Sequence, residues 1–172
     1  AAKLQLDGLR AERWLSAKAA EPATRAALTK ATPDARADAA RQLSDQIANA
    51  APSAIGVKPS IVAVVDSNGK ILGRNGSDLG RGDDVAATYP AFKEALAKTA
   101  PGSDVWTDVK RADQYIASYV PVHDDNNRNM MLVIGVPLND ALARVTEASS
   151  GRGVLLVNEK GDVLANTQTS ED

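Results

Sequence analysis

The residue types that could do chemistry are few in this sequence. Cysteine is absent and His123 is the only histidine, so thiol catalysis, disulfides and thiolate metal sites have nothing to build on. A serine-histidine-aspartate relay would have to use His123. No Gly-x-Ser-x-Gly turn occurs, however, and His123 opens the polar run HDDNNR, where an exposed turn residue or a pocket-rim donor is expected. Asp83-Asp84 and Asp124-Asp125 are adjacent carboxylates without calcium-loop spacing, and read as solvated loop residues. The run GRNGSDLGRGDD is rich in glycine but lacks the Gly-Lys-Ser/Thr of a phosphate cradle, and its RGD reads as a turn. No catalytic set, metal site or cofactor is expected, and the chain does not read as an enzyme.

The aromatic residues carry more information because there are only two Trp, three Tyr and one Phe. Trp106 lies in DVWTDV, Tyr115 and Tyr119 lie in QYIASYVPV, and Tyr89 stands at the start of YPAFKEALAKTAPG. The first two segments have strand composition and the third that of a short helix closed by Pro101-Gly102. Strand alternation puts Tyr115, Ala117, Tyr119 and Pro121 on one face and Ile116, Ser118, Val120 and Val122 on the other. A half-wet sheet face would place the tyrosines this way, and so would the aromatic wall of a small-ligand pocket. Arg111, in the KRAD turn, is the nearest positive charge and could pair with a ligand carboxylate. The candidate ligand-binding set is Tyr89, Trp106, Arg111, Tyr115, Tyr119 and His123.

The elements that must position these residues fall into three zones. Residues 1–50 have helical composition, with KLQLDGLRAERWLSAKAA as a first helix and TPDARADAARQLSDQIANA as a second. Thr32 is placed to cap the second helix, Pro33 suits its first position and Asp34 complements its dipole. The length of the first helix suits a stalk or a dimer interface as well as core packing. Residues 51–138 change period: IVAVVD, the turn SNGK and ILGRN make a hairpin, then a glycine-rich loop, the short helix, DVWTDV, QYIASYVPV and NMMLVIGVPL follow. Strand, strand, helix, strand, strand, strand predicts an α+β fold: a central antiparallel sheet with helices on one side. In residues 139–172, Asn139 caps a helix with Leu142 and Val145 facing in, Gly151 ends it, and a second hairpin follows.

That hairpin repeats the first. At an offset of 92, GVLLVNEKGDVLANTQTS matches IVAVVDSNGKILGRNGSD at Val62/Val154, Val65/Val157, Gly69/Gly161 and Leu72/Leu164, with Asp66/Asn158 and Ile71/Val163 conservative. The second copy is either a closing hairpin of the first unit or the start of another.

A formal net charge of −2 with interleaved signs shows no basic face for nucleic acid and no polybasic run for anionic lipid. No 18-residue apolar span occurs, and the sequence reads as an excised piece whose membrane anchors, if any, lie outside it.

The phrases IVAVVDSNGKILGRN, YPAFKEALA, DVWTDV and YIASYVPVHDDNNRNMMLVIGVPLNDAL resemble the Cache sensor domains, PAS-like folds of bacterial chemoreceptors, sensor kinases and cyclic-nucleotide enzymes. The resemblance covers the chain in element order and implies long N-terminal helices packed on a PAS-like sheet. It also implies a small-molecule pocket on the sheet face, a homodimer through the N-terminal helix, and a periplasmic or extracellular location within a longer membrane receptor. The amino-acid-binding branch carries an Arg-x-Trp-Tyr cluster that this chain lacks, Arg111 following Trp106, so amino-acid specificity is not implied. The alternative is a cytoplasmic PAS-like or profilin-like interaction module that binds a protein and no metabolite.

Overall fold

The computed structural model describes residues 2–30, 32–78, 80–108, 113–139, 142–143, 147–148, 151–157 and 161–167, with residues 2–9, 108 and 164 by backbone alone. Arg111 and Val145 lie outside the described residues. The chain runs α1 (Ala2–Ala20), α2 (Pro22–Leu28), α3 (Pro33–Ile55), β1 (Ile61–Val65), β2 (Ile71–Arg74), α4 (Val85–Thr88), α5 (Pro90–Lys98), β3 (Gly102–Asp108), β4 (Asp113–His123), β5 (Asn129–Pro137), β6 (Leu155–Val157) and β7 (Val163–Asn166). The first five strands form one sheet in the order β2-β1-β5-β4-β3, and its neighbouring strands pair antiparallel.

The caps follow from the residues. The Thr32 hydroxyl accepts from Ala35 N at 3.2 Å, Pro33 begins α3, and Gly56 ends it in the left-handed conformation at φ 80°. In the first hairpin Asp66 Oδ1 accepts from the amides of Asn68 and Lys70, both at 2.9 Å, and Gly69 takes φ 81°. Gly69 thereby closes the turn with a bulge, and the β1–β2 register shifts between Val64 and Val65. Pro22, which interrupts the helical composition, opens a separate short helix, since proline suits a first turn as well as it breaks an interior.

Helices cover both faces of the sheet, not one. On one side Leu15, Leu28, Leu43 and Ile47 from α1, α2 and α3 bury against Val62, Val64, Ile116, Val120, Leu132 and Ile134. The other face is covered by Val85 and Ala86 of α4 and Phe92 of α5, over Val65, Trp106, Ala117, Tyr119, Met131 and Val133. The one-turn α4 hides behind the glycine-rich loop in the sequence and starts with Asp84 Oδ1 accepting from Ala87 N at 2.8 Å. Strand β4 serves both layers through its alternation.

Close approaches lock α3 to the hairpin. A Cβ on Gly73 of β2 would lie 2.6 Å from Arg41 N and 2.7 Å from Ala37 O, so the α3 backbone rests directly on that glycine. Beyond β2, Gly76 N donates to Asp45 Oδ1 at 2.8 Å, and Arg81 pairs with Asp34 at 2.9 Å. After β5, Asn139 accepts from Leu142 N through its side chain and from Ala143 N through its carbonyl, as a capping residue should. Leu142 joins the α1–α3 core.

Strands β6 and β7 form a sheet of their own. Leu156 and Ala165 pack with Ala143, Leu138 and Val154 in a small separate core.

Candidate functional site

Tyr89 sits between α4 and α5, extended at φ −121° and ψ 99°. This kink exists because Pro90 must begin a new helix and disfavours a helical residue before it. The kink carries the Tyr89 ring onto Trp106, stacked at 4.2 Å between centroids with 4° between planes, and its hydroxyl donates to Thr107 O at 3.1 Å. Phe92, one turn into α5, meets Trp106 edge-on at 5.7 Å and Tyr119 edge-on at 5.1 Å. Trp106 and Tyr119 lie 6.2 Å apart on adjacent strands. Offset and edge-to-face pairs of this kind are the preferred contacts of aromatic rings. The Tyr119 ring fits because it covers Gly102 across the β3–β4 ladder, where a Cβ would come within 2.6 Å of the ring.

Phe92, Trp106 and Tyr119 are buried and Tyr89 is half-exposed. Trp106 is 6% exposed, and its Nε1 is buried without a hydrogen-bond partner. A buried indole N–H left unpaired costs about 1–3 kcal/mol. Burial pushes the Tyr119 hydroxyl up to about 12, aided by the negative charges of Asp104 and Glu12, so it stays a neutral phenol.

The six residues singled out from the sequence separate. Tyr89, Trp106 and Tyr119 come together. Tyr115 lies opposite Trp106 in the β3–β4 register, buried, with its hydroxyl 3.4 Å from Asp113 Oδ2. His123 lies at the far end of β4, four residues or about 13 Å along the strand from Tyr119. Its Nδ1 is likewise buried without a partner. Arg111 lies outside the described residues. Phe92 belongs to the cluster as well, although it is not in the candidate set from the sequence. Its signal was available, since it is the single Phe and stands three residues after Tyr89 at helical spacing.

The Asp pair beside His123 has a structural role. Asp124 is buried and accepts from Asn126 N at 2.9 Å, Arg128 N at 2.8 Å and Arg128 Nε at 2.6 Å. Burial alone would raise its carboxyl, but the bonds and charge of Arg128, with the Asn126 amide, hold it below the usual aspartate value. Asn127 takes φ 60° in this turn, and Asp125 N donates to Thr29 Oγ1 at 2.9 Å, tying the turn to α2. Among the described residues no group of three or more His, Cys, Asp or Glu is arranged to hold a metal, and no helix is long and apolar enough to cross a membrane.

A concavity opens on the opposite face of the sheet, between α1 and the strands, lined by residues that include Arg10, Ala11, Ile55, Val57, Ile116 and Ser118. It is mainly apolar, and its buried hydroxyl, Ser118, already lies 3.1 Å from Ser103 Oγ.

No protein-family model matches the sequence, and no curated protein is similar to it in sequence. Solved structures are similar in fold. A domain assigned to the sensory box/GGDEF family of Vibrio parahaemolyticus has a TM-score of 0.64 at 16% identity, over 98% of this chain and 68% of its own. The ligand-binding domain of the Campylobacter jejuni chemoreceptor Tlp3, solved with 4-methylisoleucine, has a TM-score of 0.57 at 16% identity, over 96% of this chain and 67% of its own. The sensor domain of Escherichia coli DcuS has a TM-score of 0.53 at 19% identity, over 84% of this chain and 93% of its own. The chain thus has the fold of Cache-type sensory domains, PAS-like and α+β, and spans about two thirds of the first two.

Proposed function

We propose that this chain is the extracytoplasmic small-molecule-sensing domain of a membrane-anchored bacterial signalling receptor, without catalytic activity of its own. The observation that carries the reading is the buried, unpartnered Trp106 Nε1 beside the half-exposed Tyr89. A ligand acceptor, a carboxylate or carbonyl, reaching that N–H would remove the penalty of the orphaned donor. Tyr89, at the half-exposed α4–α5 kink with its phenol donating to Thr107 O, is the side chain proposed to move to admit it. Arg111 follows β3 closely in sequence and is the cation proposed to pair with a carboxylate. Tyr119 and Phe92 form the floor, Tyr115 flanks it, and His123 is the outlying member of the set.

The fold comparison supports the sensing role, and the Campylobacter jejuni receptor Tlp3 has been solved with small ligands bound, 4-methylisoleucine, isoleucine and L-valine. Ligand would act by shifting the population between two placements of α4–α5 against the sheet, as far as its affinities for the two differ. The long helix α1 is the proposed homodimer element.

The test uses the scarcity of tryptophan. With Trp14→Phe in the background, Trp106 is the only fluorophore of its kind. Organic acids, amino acids and amines are titrated against its emission and against thermal stability. The expected result is that one class changes Trp106 emission and raises the melting temperature, and that Trp106→Phe weakens its binding about tenfold, the equivalent of 1.4 kcal/mol. If no class does either, the ligand-free interaction module replaces this reading.

A further inference from the structure

The helical layer α1–α3 holds a cavity of its own. It lies where the end of α1 and the short α2 pass over α3, has a volume of about 100 Å³, and is lined by residues that include Thr24, Ala27, Leu43, Gln46, Ile47 and Ala50. The sequence makes the space. Pro22 starts α2 as a separate helix, and what that helix turns toward the cavity is Ala23, Thr24 and Ala27, none long enough to fill the gap over Leu43 and Ile47.

Thr24 is the buried polar group of this cavity, 2% exposed. Hydroxyls in and beside helices often return to the carbonyl four residues back. Thr29 Oγ1 does so to Arg25 O at 2.7 Å, Ser44 Oγ to Ala40 O at 2.8 Å and Thr88 Oγ1 to Asp84 O at 3.1 Å. Thr24 does not. Its amide donates to Glu21 O at 3.0 Å, but among the described residues its hydroxyl has no hydrogen-bond partner. A buried hydroxyl left unpaired is costly, so its partner must come from the cavity it lines.

The rest of the lining says what that partner can be. Lys18 and Glu21 pair with each other at 2.7 Å and leave no unmatched charge for an ionic ligand. Leu43 and Ile47 are buried and apolar, and a charge laid over them would lose its water without gaining a counter-ion. Gln46 is exposed and, among the described residues, without a partner, so its amide is free to donate and accept. An apolar cavity of ~150 Å³ takes up benzene, so this smaller one suits a molecule of about four to six heavy atoms.

We infer that the α2–α3 cavity is a binding site for a small neutral molecule with a hydroxyl or carbonyl group on a short aliphatic body. The polar group hydrogen-bonds to Thr24 Oγ1 and the carbons lie on Leu43 and Ile47. An occupant ties α2 to α3 within the layer. The site lies across the sheet from Trp106 and is independent of any ligand there.

Four molecules of one skeleton test it: isobutanol and isobutyramide are neutral, isobutyrate is an anion and isobutylamine a cation at neutral pH. Each is titrated into the chain while its methyl and indole resonances are followed by nuclear magnetic resonance. The neutral pair should shift the methyl groups of Leu43 and Ile47 saturably with a Kd of about 1 mM, leave the Trp106 indole unmoved, and bind at least about tenfold more tightly than the charged pair. Thr24→Val keeps the shape and removes the hydroxyl; it should hold the melting temperature within about 2 °C and weaken the neutral ligands about tenfold. Ala27→Leu, which fills the cavity, should abolish the shifts. Shifts that never saturate, a preference for either charged molecule, or equal binding by Thr24→Val overturns the inference. So does a larger fall in melting temperature for Thr24→Val alone, which would mean that the hydroxyl is already satisfied within the fold.

Discussion

Gly73→Ala probes the seating of α3 on the sheet with one methyl group. The added Cβ would lie 2.6 Å from Arg41 N, 2.7 Å from Ala37 O and 3.0 Å from the Ala40 carbonyl carbon, all backbone atoms that no rotamer change can clear. To reach ordinary contact at 3.4 Å, α3 must retreat by about 0.8 Å from β2. That retreat loosens Leu43 and Ile47, which bury against the sheet from the same helix. Overpacking of this kind costs about 3 kcal/mol. For a chain of this size that is a fall of about 6–12 °C in melting temperature. Gly76→Ala is the control: its φ is 80° but its Cβ would meet nothing within 4 Å, so only the conformational strain applies, about 1 kcal/mol. Calorimetry of the two variants decides. If Gly73→Ala melts no lower than Gly76→Ala, the helix does not rest on the glycine and the packing argument is wrong.

Leu15→Ala in α1 should cost about 3 kcal/mol in urea unfolding, because Leu15 is 0% exposed in the core, and a loss under 1 kcal/mol would detach α1 from the folded unit. Asp124→Asn should destabilise by about 1 kcal/mol at neutral pH through its lost charge-assisted bond to Arg128. Since the folded carboxyl lies below its ordinary value, that gap should hold above about pH 4 and close as pH falls further; a gap that widens in acid would reverse the assignment. Once a ligand is in hand, Arg111→Ala should weaken its binding more than Tyr115→Phe, as measured by isothermal titration, and equal losses would remove Arg111 as the anchor.

The helices, the strand order along the chain and the hairpin repeat were legible because each rests on local signals: Thr32-Pro33-Asp34 for a cap, Asn68-Gly69 for a turn, alternation through Tyr115 to Val122 for a strand. The second helical layer was not. Val85–Thr88 is a single turn behind glycines, too short for any periodicity, and its burial under Gly69 and Val65 is a tertiary fact. At the site, alternation placed Tyr119 and scarcity pointed to Trp106, but nothing local tells that the Tyr89 ring, held at a helix start, stacks on Trp106 from a different element. His123 shows the limit of face arguments: alternation puts it on the Tyr119 side of β4 but does not bring it near Tyr119 along the strand.

Strand β4 is a shared wall. Tyr119 and Ala117 belong to the aromatic side, while the intervening Ile116 and Val120 belong to the α1–α3 side. Close-packed interiors transmit displacement and do not absorb it. A ring forced aside at Trp106 or Tyr119 therefore has one rigid ribbon through which to press on α1, and the expected response is a slide of that helix along β4 of an ångström or so, in the manner of shear between packed layers. Spin labels on exposed α1 and α3 positions would read such a slide as a small change in distance with unchanged widths, whereas hinge opening would broaden them.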